Sequence, residues 1–326
     1  MSSLKFRLDA SPEIGLGHLI RSLSLADMLS DQFEITFYLK GTSSSIRSRV
    51  VGAGFQVHNI ESEPDFFSAI DANDIIVLDG YHFDPEYQNT VKSLCSKLVC
   101  IDDLHQAPFH SDIIINHAPG VSRNLYDVPT STRFCLGPDY ALLRPEFLNK
   151  QAVKEPEIPQ MMICFGGSDF KNLTCQVLEL MPEVKLKLIV IIGPAYIYLD
   201  KLNTVIQERQ DLNIELKAGL DAMAMRRQMD RAKIHVVPAS GILFESIAVG
   251  GTIISGYYTD NQMGIYEGFK KYEVFHDARD FSKEHFLEAL GKAIVDEGSK
   301  MRAAQSSVMD LKSPERYLEV FSALQS

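Results

Sequence analysis

Cysteine is sparse in this chain, and the few residues present do not pair. Five among 326, Cys95, Cys100, Cys135, Cys164 and Cys175, form an odd set without Cys-x-x-Cys spacing, mostly inside apolar strand-like runs. That pattern excludes a disulfide-stapled scaffold and predicts reduced core residues of a cytoplasmic protein. Basic residues are also in deficit: Lys and Arg number 32 against 43 Asp and Glu, for a net charge of −11. Such a balance argues against nucleic acid and anionic membranes as partners, and Arg47 and Arg49 are too few to make a basic patch. No apolar run approaches membrane-spanning length and the N-terminus lacks the apolar core of a signal peptide, so no membrane insertion is expected. Short-period repeats and low-complexity tracts are missing too.

Several motifs are absent in an informative way. No Gly-Lys-Ser/Thr completes a Walker A loop, and no Gly-x-Ser-x-Gly elbow announces a Ser-His-Asp triad. The turn Gly15-Leu16-Gly17 lacks the third glycine of a dinucleotide fingerprint, because Ile20 stands there. What is present is a strand-like Leu4–Asp9, a glycine turn, and Leu19, Leu23 and Ala26 at helical spacing. The run predicts a strand, a tight turn and a helix, with His18 in the helix's first turn. Amides exposed at a helix start attract anions, and a histidine there is placed to accept a proton. Arg21 and Ser22 share its face. The plain alternative is an ordinary strand-to-helix turn with a structural histidine.

At 326 residues and 45% hydrophobic content the chain can build two domains, each with its own core. Strands are expected at 34–39, 55–60, 74–79, 97–102 and 112–116, then again at 161–165, 187–192, 213–217, 235–237 and 252–255. Continuous apolar runs such as Ile75-Ile76-Val77-Leu78 suit strands buried on both faces of a parallel sheet. Residues 150–160, with Pro156 and Pro159 among charges, read as the linker. The expectation is therefore α/β: two doubly wound Rossmann-like domains, 1–150 and 151–326, facing across a cleft. The last helix, 314–324, is a candidate to return to the first domain.

The second half carries two candidate phosphate sites. Gly166, Gly167 and Ser168 follow a strand and precede a helix at Asn172-Leu173-Thr174, so amides of the turn and helix start can converge on a diphosphate. Ser240 and Gly241 open another helix, and Glu245 lies about one turn on, where a carboxylate can take both ribose hydroxyls. The plain alternatives are Asn172 and Ser240 as helix caps, with Glu245 solvated. Asn261 and Gln262, after the strand at 253–258, offer amides to sugar hydroxyl and acetamido groups. Asp79, Tyr81, Asn116 and His117 stand at strand ends, where open α/β sheets bind ligands. Asp102, Asp103 and His105 fail the spacing of a closed metal site.

These stretches resemble a known family. Residues 9–21, together with Leu78-Asp79-Gly80-Tyr81, the run from Cys164 to Thr174, the run from Pro238 to Glu245, and Asp260-Asn261-Gln262, are similar in order to the UDP-2,4-diacetamido-2,4,6-trideoxy-β-L-altropyranose hydrolases of pseudaminic acid biosynthesis. Those belong to the GT-B-like group that includes the MurG-type transferases. The resemblance implies a GT-B-like fold and a UDP-sugar substrate, with water attacking the anomeric carbon and inverting it. It implies His18 as the base, Asp9 and Arg21 securing its surroundings, and Tyr81 near the sugar. Gly15, Gly17, Gly166, Gly167, Ser168, Ser240, Gly241, Glu245, Asn261 and Gln262 would bind substrate. No cofactor and no metal are expected, and a monomer is. The alternatives are a GT-B glycosyltransferase and a non-catalytic sugar-nucleotide-binding protein. Gly80 departs from the family pattern, in which some members carry a bulkier polar residue.

Overall fold

Alternating apolar strands and amphipathic helices build two parallel sheets, one in each of two units. The computed structural model describes residues 2–9, 17–105, 108–149 and 158–325. One unit comprises residues 1–145 and 311–326, the other residues 146–310. The expected linker lies outside the described residues up to position 157.

In the first unit the chain runs β1 (Ser2–Leu8), α1 (Gly17–Leu29), β2 (Phe33–Lys40), α2 (Ser44–Gly52), β3 (Gln56–Ile60), α3 (Glu63–Ser68), β4 (Ile75–Asp79), α4 (Pro85–Leu94), β5 (Lys97–Ile101), β6 (Ile113–Asn116) and β7 (Arg133–Leu136). The order is β3-β2-β1-β4-β5-β6-β7, with every pairing parallel. Every residue of β4 and β6 is buried, as expected for strands covered on both faces. Strand β7 was not expected: its four residues RFCL begin on an exposed arginine and pair on one side only, a signal too short to read.

The second unit runs β8 (Gln160–Ile163), α5 (Leu173–Leu180), β9 (Lys187–Ile192), α6 (Leu199–Glu208), β10 (Asn213–Ala218), α7 (Ala222–Arg231), β11 (Ala232–Pro238), α8 (Gly241–Val249), β12 (Thr252–Gly256), α9 (Met263–Lys270), β13 (His276–Arg279), α10 (Lys283–Val295) and α11 (Ser299–Val308). Its order, β10-β9-β8-β11-β12-β13, is that of a Rossmann sheet. Arg226 pins the start of this unit: its Nε meets the Asp230 carboxylate at 2.9 Å, and Nη1 donates to the Glu146 and Asn149 carbonyls at 2.8 and 3.0 Å.

The last helix, α12 (Ser313–Ser322), packs in the first unit. Phe321 meets Phe33 edge to face at 6.2 Å, and the Tyr317 hydroxyl donates to the Tyr140 carbonyl at 2.7 Å. Both rings are fully buried, so the helix completes that unit's core.

In each sheet the connections reverse direction once, between β1 and β4 and between β8 and β11. Ligands of open α/β sheets bind outside the carboxyl ends of the strands at such a point.

Candidate functional site

The first unit gathers a polar cluster at its reversal point. Register pairs Leu8 with Asp79, so Asp79 ends β4 beside the exit of β1 toward α1. His18, second residue of α1, is buried, and its Nδ1 lies 2.6 Å from Asp79 Oδ1. An ionised carboxylate only accepts, and its 2.6 Å contact is shorter than the 3.0 Å approach of the donor Arg21 Nη2 to the same nitrogen, so in the neutral ring Nδ1 carries the hydrogen and Nε2 keeps the lone pair. Arg21, one turn on, donates to Asp79 through Nε at 2.8 Å and Nη2 at 2.5 Å, and through Nη1 to Asp103 at 2.8 Å. The Ser22 hydroxyl adds a bond to Asp79 at 3.0 Å. Tyr81 donates to Asp103 at 3.1 Å and meets the His18 ring edge-on at 4.8 Å.

The charges of this cluster support one another. Burial alone would raise the Asp79 carboxyl, but Arg21 and His18 overcome it and hold Asp79 well below the usual carboxylate range. Burial likewise opposes the Arg21 charge, yet Asp79 and Asp103 raise it well above its ordinary value. His117, just past β6, accepts the Leu142 amide on Nδ1 at 3.1 Å. Burial first, and then the Arg21 charge, push its ring down to about 3, so it is a neutral imidazole at physiological pH.

Of the residues expected here, the structure brings His18, Arg21 and Tyr81 together. Asp9 is elsewhere: its carboxylate pairs with Arg7 at 2.5 Å and with His82 Nε2 at 3.1 Å, and Asp79 takes the place beside His18. Gly15 lies outside the described residues. Gly17 starts α1, and a Cβ there would meet nothing within 4 Å. Asp79 is legible in the sequence only as a strand-end residue, not as the partner of His18, and Asp103 and His82 carry no more signal than a polar residue following an apolar strand. Asp102 turns away to cap its own loop, accepting the Leu104 and His105 amides and the Tyr126 hydroxyl.

In the second unit, the loops after β8 and β11 flank the reversal point. The turn after β8 corrects one expectation. Asn172 occupies the cap position of α5 but makes no side-chain cap bond; Asp169 takes the Leu173 and Thr174 amides, at 2.8 Å each. Asn172 instead accepts from the Tyr196 hydroxyl at 2.7 Å. Those two amides of the helix start are thus already met by a carboxylate. Gly166 needs to be glycine, with φ of 87°, and the Gly167 carbonyl lies against Gly193, where a Cβ would come within 2.3 Å of it.

At α8, Ser240 occupies the cap position without a side-chain cap bond. Neither Gly167 nor Gly241 has a left-handed backbone, and a Cβ on either would meet nothing within 4 Å. Fold and packing therefore do not demand glycine at either position. Glu245 is buried on α8, not solvated. Gln262 is buried and accepts the Tyr258 amide at 2.9 Å, while Asn261 is exposed. A pocket of about 440 Å³ opens on the same side of the sheet, lined by Lys171, Gln176, Tyr257, Tyr258, Thr259 and Asp260 among others. Among the described residues no group of His, Cys, Asp and Glu has the arrangement of a metal site, and no helix is long and apolar enough to cross a membrane.

No protein-family model matches the chain. An uncharacterized protein of Methanocaldococcus jannaschii is 28% identical over 280 residues, 81% of this chain and 57% of that protein, so the chain spans little more than half of that relative. The UDP-2,4-diacetamido-2,4,6-trideoxy-β-L-altropyranose hydrolase of Campylobacter jejuni is 25% identical over 264 residues, 79% of this chain and 92% of that one. Among solved structures, Acinetobacter baumannii MurG matches with a TM-score of 0.67 at 11% identity, over 99% of this chain and 100% of that one. The calicheamicin glycosyltransferase matches with a TM-score of 0.65 at 12% identity, over 99% and 98%. The two parallel-sheet units are thus those of the GT-B glycosyltransferase fold.

Proposed function

We propose that this chain hydrolyses a UDP-activated 2,4-diacetamido-2,4,6-trideoxy hexose, releasing UDP and the free sugar for nonulosonic acid biosynthesis. The observation that carries the reading is the His18–Asp79 pair. A buried carboxylate fixes the imidazole with its lone pair on Nε2, the arrangement of a general base. The name of the Campylobacter relative supplies the substrate class. His18 takes a proton from water as that water attacks the anomeric carbon opposite the departing UDP. Asp79, itself held by Arg21 and Ser22, stabilises the imidazolium that forms.

The second unit holds the nucleotide. Amides at Gly167-Ser168 and Gly241 meet the diphosphate charge, at two glycines that the fold itself does not require. Glu245 takes the ribose hydroxyls, and Asn261 and Gln262 face the sugar's polar groups. A second reading, transfer to a sugar or lipid acceptor, is favoured by the glycosyltransferases that share the fold. Incubation of the purified protein with the UDP-2,4-diacetamido sugar, without any acceptor, separates the two. Stoichiometric UDP and free sugar by NMR is the expected result, and UDP release that waits for an added acceptor would replace hydrolysis with transfer.

A further inference from the structure

His82 forms a second imidazole–carboxylate pair in the first unit, of opposite hand to the first. Its Nε2 meets Asp9 Oδ2 at 3.1 Å, and that carboxylate is ionised. Burial would raise it, but His82 and Arg7 hold it well below the usual range. Asp9 is itself fixed by Arg7 at 2.5 Å and by the Lys40 amide at 3.3 Å. An acceptor-only partner places the ring hydrogen on Nε2, so in the neutral ring Nδ1 is the acceptor.

Glycine at position 80 makes this arrangement possible. A Cβ there would come within 3.0 Å of His82 Cε1 and of Phe83 Cε2, and 3.2 Å from His82 Nδ1. The ring lies folded over position 80, with its centroid 4.0 Å from that of Phe83. The side chain nevertheless remains 47% exposed. A half-exposed side chain held in one orientation by a carboxylate and a bare backbone position is preorganised for a ligand. Its neighbour in sequence, Tyr81, edges onto His18 and is itself 51% exposed.

We propose that His82 is a specificity-determining residue, accepting on Nδ1 the N–H of an acylamino group of the sugar while the exposed Tyr81 ring receives the acyl methyl. The assignment rests on the sugar-nucleotide reading above. Asp9 then serves His82 as a positioning residue, the role Asp79 has for His18.

The test is calorimetric, in a His18→Ala background that stops turnover. The ligands are UDP, UDP-2,4-diacetamido-2,4,6-trideoxy hexose and UDP-2,4,6-trideoxy hexose, which lacks both acylamino groups and offers no donor at C2 or C4. Adding His82→Ala should lower the preference for the diacetamido over the unsubstituted compound about tenfold, the scale of one lost hydrogen bond, and leave UDP affinity unchanged. His82→Gln, which can still bridge Asp9 and offer an acceptor, should keep part of the preference. Gly80→Ala should lose it by pushing the ring aside. An unchanged preference in His82→Ala, an equal loss for all three ligands, or no preference before the change would each overturn the proposal. Absence of UDP release by the unmodified protein, with the preference still collapsing in His82→Ala, would remove hydrolysis and leave His82 standing.

Discussion

Three side chains meet Asp79, and each makes a different demand on it: His18 needs orientation, Arg21 needs a counter-charge, and Ser22 needs an acceptor. His18→Ala removes the proton acceptor along with its bond to Asp79, and it should lower kcat about a hundredfold or more with the fold and UDP affinity intact. Steady-state kinetics beside calorimetric titration of UDP checks this, and near-normal turnover would exclude His18 as the base. Asp79→Asn should also lose turnover, but at a structural cost of about 1.5–3 kcal/mol, because Arg21 loses charge-assisted bonds in a buried site while Asp103 still balances its charge. Denaturant midpoints measured on the two variants separate these effects. Glu245→Ala should act on binding alone. The ribose is remote from the breaking bond, so its contacts hold ground state and transition state equally. UDP affinity should weaken by about 1.5–3 kcal/mol while kcat stays nearly constant. Unchanged affinity would take the glutamate out of the nucleotide site.

At the scale of elements, the loops after β8 and β9 are packed backbone to backbone. Ala195 donates to the Gly167 carbonyl at 3.1 Å, and Gly193 approaches it too closely for any side chain. Gly193→Ala must therefore displace the Gly166-Gly167 turn, and UDP affinity should fall although residue 193 is assigned no ligand contact. If affinity survives the change, the turn after β8 is not a phosphate site. Helix α12 makes a separate point about stability. Phe321 is fully buried against Phe33 in a unit whose other residues end at position 145. Phe321→Ala should cost about 3–5 kcal/mol, read as a lowered melting transition of the first unit. Truncation at position 310 should destabilise that unit at least as much.

For the whole molecule, acid should act before the carboxylates titrate. His117 is pushed down to about 3 by burial and by the Arg21 charge, and His235, in the other unit, is also lowered by burial. In the unfolded chain both titrate near the ordinary histidine value of about 6.5, so below that pH the unfolded state binds more protons than the folded one. Stability therefore rises with pH up to about 6.5 and falls on acidification below it. For His117 the loss is about 1.4 kcal/mol one unit below that value. Asp79 and Asp9, held low in the folded state, lose their contribution only below about pH 4. Melting at pH 7.5 and 5.5 should show the loss, and His117→Gln should abolish the first unit's share. A melting temperature flat across this range would show that these rings are not kept neutral by burial.

Much of this protein is legible without coordinates. The apolar runs at 75–79 and 187–192, the glycine turns and the restart after 160 suffice for two doubly wound sheets, because period and turn chemistry are local properties of the chain. His18 and Arg21 are legible as partners for the same reason, since they lie three residues apart on one helix. Who stands opposite them is not local. Asp79 reaches His18 only because β4 pairs with β1 in a register that sets Leu8 against Asp79, a contact across 61 positions. Asp9, nearer in sequence, goes to Arg7 and His82 instead. In the same way Asn172 sits at the cap position of α5, but the side-chain bonds to the helix start come from Asp169, while Asn172 is taken by the Tyr196 hydroxyl from 24 positions away. Spacing along the chain determines which side chains share an element; the order and register of the sheets decide which of them share a site.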